Sequence, residues 1–230
     1  MKLIRKLKQI IPPYAYVPLI CVVGTNALAY SATRPITAKL LHHTFSLPLD
    51  AHVPFVPFFV TFYVLAFISW AVGYILMARE SRSFCYQMMT GDMIAKLICM
   101  VCFLAFPTTM VRPEITGSDV WSRLLALVYQ LDAPDNLFPS IHCLESWICF
   151  RAALRQRKTG KWYTCFSLVF TLLVCASTVL VKQHLLPDIA GGILAVEIGL
   201  FLAKKFNTGR VFEKLNTFLG KGRVHTGESQ

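Results

Sequence analysis

Apolar residues in this chain run on for a helix-spanning length at a time, where a water-facing helix or strand would show short periodic stripes. A helix needs about 20 mostly apolar residues to cross the ~30 Å hydrocarbon core of a bilayer. Six stretches meet or approach that requirement: Tyr14 to Ala32, Val53 to Ala78, Met93 to Val111, Pro139 to Leu154, Trp162 to Val181 and Pro187 to Ala203. Glu145 and Arg151 interrupt the fourth, which is the weakest by hydropathy. The pattern predicts an all-α polytopic membrane protein with six transmembrane helices in a bundle. A basic cytoplasmic amino terminus (residues 1–13) and a basic, frayed cytoplasmic tail (206–230) flank the membrane domain of residues 14–205.

Composition agrees, with 55% hydrophobic and 15% charged residues against about 25% charged in a typical soluble domain. The net charge of +11 would point to nucleic acid in a soluble protein, but its placement gives another reason. With both termini inside and six crossings, seventeen of the 23 Lys and Arg fall on the cytoplasmic side, as the positive-inside rule requires. The charge therefore reports topology, and no nucleic-acid partner is expected. The first apolar run continues past Tyr30 without a small-x-small cleavage site and reads as a retained signal anchor. Most of the eight cysteines fall within apolar runs and read as small buried hydrophobes. His42, His43, Asp50 and His52 lack the spacing of a metal clamp.

Ionisable groups in a membrane are costly, so those that topology leaves unexplained are functional candidates. Most gather on the side opposite the cytoplasm. Arg112-Pro113 closes the third predicted helix, Pro139-Ser140-Ile141-His142 opens the fourth, and Ser177 to Asp188 joins the fifth to the sixth. Pro139 and Ser140 suit a helix start, whose free N–H groups form an anion site. Arg112 offers a planar fork for phosphate oxygens, and Lys182 a point charge. His184 and Asp188 are four apart, so the carboxylate can take one imidazole proton and leave the other nitrogen as a nucleophile. His142 is the candidate general acid for the leaving group. Ser177 either binds phosphate or bonds back to its own helix.

The motifs Arg112-Pro113, Phe138-Pro139-Ser140-Ile141-His142 and Ser177 through His184 to Asp188 resemble the type-2 phosphatidic acid phosphatase superfamily, which also includes the vanadium haloperoxidases. The resemblance covers about Met93 to Ala203. It implies that His184 attacks phosphorus to form a phosphohistidine, that Asp188 orients it, that His142 protonates the leaving oxygen, and that Arg112 and Ser177 hold the phosphate. That chemistry needs neither metal nor cofactor. The chain departs from the usual pattern at Ala105 and Thr178, where the superfamily carries basic residues. A phosphodiester has less charge to neutralise than a monoester, so a second reading follows: headgroup transfer between lipids, similar to inositol phosphorylceramide and sphingomyelin synthases.

Glu145, one turn from His142, and Asp50, before the aromatic stretch Val53 to Phe59, are expected headgroup contacts. An amphipathic interfacial helix is expected between Glu114 and Leu137, carrying Trp121, Leu124, Leu125 and Leu127. The expected activity is metal-independent hydrolysis of a lipid phosphate monoester or diphosphate taken from the outer leaflet. In a bacterium the protein would lie in the plasma membrane with an extracytoplasmic site. A third reading is a non-catalytic lipid transport protein or pseudoenzyme. No oligomeric state is read from the sequence.

Overall fold

The computed structural model describes residues 10–225, which are helical with no strand among them. Most of the basic amino terminus and the last five residues of the tail lie outside the described residues. The first membrane segment begins with a 3-10 turn at Pro13–Ala15, continues as α1 (Tyr16–Asn26), passes through a π turn at Ala27–Ser31, and ends in the short α2 (Arg34–Thr37). Then come α3 (Val60–Glu80), α4 (Arg82–Ala105), α5 (Val120–Leu131), α6 (Ile141–Arg155), α7 (Lys161–Leu180), α8 (Leu186–Lys205) and α9 (Arg210–His225).

Five segments are long and apolar enough to cross a membrane: Pro13–Thr37, Pro57–Glu80, Arg82–Ala105, Lys161–Leu180 and Leu186–Lys205. The chain is therefore a multi-pass membrane protein. Large apolar side chains such as Ile20, Val23, Phe67, Ile68, Val169 and Phe201 stand exposed on these helices, where a soluble protein would place charge. The sixth predicted crossing corresponds to α6, which is 15 residues long, about 22 Å at 1.5 Å per residue. That falls short of the hydrocarbon core. It is packed on by α3, α4, α7 and α8, so its polar residues meet protein instead of lipid.

Two expectations about helix boundaries are corrected. The third helix starts eleven residues earlier than hydropathy indicates, because Ser81 caps it by accepting a hydrogen bond from the Phe84 N–H (3.2 Å). It stops at Ala105 because the residue before Pro107 disfavours helix. The described part of the tail, expected to be frayed from Phe206, contains the helix α9, with Phe212 buried against Tyr86 of α4; the last five residues lie outside the described residues. The amphipathic helix between Glu114 and Leu137 is present as α5, N-capped by Asp119 through the Trp121 and Ser122 N–H groups (2.9 and 3.2 Å).

The closest helix crossing joins α4 to α8. A Cβ on Gly199 would lie 2.3 Å from the Gly91 carbonyl oxygen, so the two backbones meet through paired small residues as membrane helices often do. Above this crossing, Gly192 of α8 faces the start of α6, and a Cβ there would lie 2.5 Å from the Ser140 carbonyl oxygen. This contact sets the distance between the two helices that carry the histidine motifs.

A buried ionic cluster sits within the bundle. Lys96 Nζ lies 2.8 Å from Asp92 Oδ2 and 2.7 Å from Glu145 Oε1, and the Tyr74 hydroxyl donates to Glu145 Oε2 (2.5 Å). Lys96 and Asp92 are fully buried.

Candidate active site

The residues that the motifs nominate are brought together by hydrogen bonds between loops and helix ends. Thr108, just past α4, accepts the Leu137 and Phe138 N–H groups (3.1 and 2.8 Å) and so holds the approach to α6. Ser140 caps α6 by accepting the Cys143 N–H (3.3 Å), and its own N–H donates to the Asp188 carbonyl (3.0 Å). The turn after α7 folds back on itself, with the Gln183 and His184 N–H groups both donating to the Thr178 carbonyl (2.9 and 3.0 Å). Lys182 takes a left-handed φ of 53° to make that turn, a conformation rare outside glycine.

Asp188, in the first turn of α8 and 1% exposed, uses one carboxylate oxygen twice. Oδ2 accepts the Leu185 N–H (2.8 Å), closing the helix end, and meets His184 Nδ1 at 3.2 Å. The arrangement fixes the ring and leaves Nε2 without a hydrogen bond among the described residues. Burial pushes the imidazole down, but the hydrogen bond and charge of Asp188, with Cys143 and Asp132 farther off, outweigh it and hold its pKa above the ordinary histidine value. The neutral, lone-pair form is therefore gained only on the alkaline side of that raised pKa. Replacing Asp188 by Asn removes the charge and is expected to move the His184 titration to lower pH, measured by imidazole ¹⁵N NMR in detergent micelles.

His142 lies across from it, with ring centroids 6.4 Å apart. Its ring stacks on Tyr63 (4.0 Å) and meets the edges of Trp70 (5.0 Å) and Phe67 (5.6 Å). Its Nε2 is buried without a hydrogen-bond partner. Both histidines line a cavity of about 380 Å³.

The cavity's other walls were not foreseen. Asn26, Tyr30 and Arg34 come from the first membrane segment, Tyr63, Phe67 and Trp70 from α3, and Asp132 and Asn136 from the loop before α6. The Asp132 carboxylate accepts hydrogen bonds from the hydroxyls of Tyr30 and Tyr63. Spacing could have disclosed two of these walls: Asn26, Tyr30 and Arg34 recur every four residues, and Tyr63, Phe67 and Trp70 at four and three, each pattern marking one helix face.

Several nominated residues stand elsewhere. Arg112 does not line the cavity. Its Nη1 donates to the Asp132 carbonyl (2.6 Å), its Nη2 to Gln183 Oε1, and its guanidinium lies 4.5 Å over the Tyr129 ring. Lys182 Nζ donates to the Val53 carbonyl (2.6 Å), tying the turn to the approach of α3. The Ser177 hydroxyl donates to the Val174 carbonyl (2.7 Å) within its own helix, and it is fully buried. Asp50 accepts the Leu47 and Leu186 N–H groups (both 2.7 Å) and thereby braces the start of α8. Glu145 belongs to the Lys96 cluster and lines a neighbouring cavity of about 340 Å³. Of the residues nominated for phosphate or headgroup, only Ser140 stays beside the histidines, as a helix cap whose hydroxyl is already engaged.

The fold and site define a helical membrane protein that presents a carboxylate-held histidine and a second histidine to one cavity. The family model described as the PAP2 superfamily matches residues 37–202, and the chain belongs to that superfamily. Its members are generally phosphatases, which gives the chain a phosphatase-type function at the coarse level. No curated protein and no solved structure matches the chain.

Proposed function

We propose that the protein is a membrane phosphatase that acts on the phosphate of a lipid through a covalent intermediate on His184. The observation that carries this reading is the pair of histidine rings, 6.4 Å apart and facing one cavity, with Asp188 on the far nitrogen of His184. His184 Nε2 attacks phosphorus and forms the N–P bond as the bond from phosphorus to the lipid oxygen breaks. His142 gives its proton to that oxygen, and the lipid leaves as an alcohol. Water then attacks the phosphohistidine, His142 takes its proton back, and inorganic phosphate departs with His184 neutral again. The apolar wall of Tyr63, Phe67 and Trp70 excludes bulk water and suits an amphiphile that arrives from the membrane. We place this site on the extracytoplasmic side on the strength of the charge asymmetry in the sequence.

A specific observation favours headgroup transfer as the second reading. The cavity is lined by one guanidinium, Arg34, and one carboxylate, Asp132. Asp132, together with Asp135 paired to the guanidinium at 3.0 Å, offsets that positive charge, which suits the single negative charge of a phosphodiester better than the −1.5 to −2 of a monoester. In that case a lipid hydroxyl replaces water in the second step.

Purified protein in mixed micelles separates the two. Phosphate release from phosphatidic acid or an isoprenyl diphosphate supports hydrolysis, whereas a new headgroup-bearing lipid from phospholipid plus diacylglycerol or ceramide supports transfer. Asp132→Asn removes one opposing charge, and we expect it to raise monoester turnover relative to diester turnover by about tenfold, on the scale of one charge–charge contact in a partly buried site. An unchanged ratio would count against charge as the selector.

A further inference from the structure

Two cations usual in the superfamily are missing here, and the geometry of the cavity identifies what stands in for them. Thr178 is buried with its hydroxyl donated to the Cys175 carbonyl (2.8 Å), and Ala105 is exposed at the end of α4. The remaining basic candidates are committed to the protein: Arg112 to Asp132, Gln183 and the Tyr129 face, and Lys182 to Val53. Among the described residues that line the cavity with His142 and His184, Arg34 is the single Lys or Arg.

Arg34 is also uncommitted in a way that Arg112 is not. Its Nε lies 3.0 Å from Asp135 Oδ1, but off the alignment of a hydrogen bond, and that oxygen has no hydrogen-bond partner. Its Nε is thus ion-paired with Asp135, but among the described residues Nη1 and Nη2 donate no hydrogen bond, so the outer edge of the guanidinium is available to a ligand. Its side chain is 27% exposed, and it is held near the cavity by the Tyr30 ring, 5.6 Å away. A π turn at Ala27–Ser31 lies in the same segment, and Tyr30 and Arg34, four residues apart, line the same cavity wall. Such turns recur at functional sites.

We propose that Arg34 is the cation that holds the substrate phosphate, donated by the first membrane segment. Arg34 lies before the stretch that the family match covers, residues 37–202, so this contact is not part of the shared motif set. The proposal rests on the cavity being the phosphate-transfer site. The planar fork binds two phosphate oxygens while the third remains toward His142, and Asp135 holds the guanidinium in place through its charge alone.

The test compares Arg34→Gln, Arg34→Lys and Asp135→Asn with the unaltered protein in micelles. Two quantities are read: the orthovanadate dissociation constant by calorimetry, and kcat and KM for phosphatidic acid and for a phosphodiester lipid with its acceptor. Arg34→Gln is expected to weaken orthovanadate binding and raise KM by about 10- to 100-fold, the scale of a charge-assisted hydrogen-bonded contact, with a smaller fall in kcat. Arg34→Lys keeps the charge and recovers only part of the affinity, whereas Asp135→Asn, which removes the carboxylate paired with the guanidinium, is expected to change orthovanadate affinity by more than about twofold, and an affinity that ignores both Asp135→Asn and Arg34→Lys counts against Arg34 as the ligand. Unchanged orthovanadate affinity in an Arg34→Gln protein of unaltered melting temperature overturns the proposal. If Arg34→Gln does not fold, an Arg34→Lys protein with full affinity overturns it instead. Orthovanadate binding that depends on Arg34, in a protein that turns over no lipid phosphate, supports the site and sinks the enzymatic reading. No orthovanadate affinity in the unaltered protein overturns both.

Discussion

His184→Ala is expected to lower lipid-phosphate turnover by at least about ten-thousand-fold, the scale on which loss of an attacking group abolishes covalent catalysis. In the proposed mechanism the imidazole carries the attacking atom, and its nearest candidates cannot take over: His142 lies 6.4 Å away with its ring packed on Tyr63, and Asp188 has Oδ2 committed to the ring and to the start of α8. The substitution removes a buried side chain, 8% exposed, and leaves the Asp188 carboxylate without its imidazole partner, so the melting temperature is expected to fall somewhat, and turnover is compared well below unfolding. The measurement is phosphate release and new-lipid formation, run in parallel with unfolding in the same detergent. Acid-labile labelling of the protein by ³²P-lipid should vanish with the side chain. A variant that keeps its turnover would sink the covalent role of His184 in both the hydrolytic and the transfer readings, and an unaltered protein with no turnover would leave a non-catalytic lipid carrier.

The largest effect on stability is expected at Lys96→Met. Lys96 is the cation between Asp92 and Glu145, with side-chain exposures of 1, 0 and 7%, and Asp92 Oδ1 already lacks a hydrogen-bond partner. Methionine has similar bulk, so packing is preserved while two carboxylates are left facing each other in a buried site. Breaking one partner from a buried ionic group costs about 3–5 kcal/mol, a large fraction of ordinary folding stability. Lost yield or a sharply lower melting temperature in micelles is the expected result. Adding Asp92→Asn and Glu145→Gln to Lys96→Met should restore most of it, because the charge imbalance disappears with the carboxylates. If the single variant is as stable as the unaltered protein, the cluster is not ionised in the way its distances imply.

Much of this was legible in the chain. Long apolar runs predicted the helical membrane class, and the spacing of His184 and Asp188 predicted a hydrogen-bonded pair that the geometry contains. The end of α4 could have been read from Pro107, a local signal overridden by the hydropathy of its flanks. Other features depend on contacts that no local pattern carries. Arg112 and Lys182 look like phosphate ligands because they are cations near a motif, yet carbonyl oxygens from distant segments take their donors. Glu145 looks like a headgroup contact because it follows His142 by three residues, but the opposite helix offers Lys96. Arg34 counts as one more basic residue outside the apolar runs until the folded chain shows it in the cavity wall.

The bond from the Ser140 N–H to the Asp188 carbonyl has a consequence for how this architecture can diversify. It fastens the two histidine-bearing helix ends into one unit, so a change in either motif disturbs the other. The facing wall belongs to the first membrane segment, which among the described residues is joined to that unit through side chains such as Tyr30 and Asn136 and not through backbone hydrogen bonds. In the proposed function, reaction chemistry and ligand choice thus reside on different stretches of chain. The first segment can then be altered without rebuilding the histidine pair.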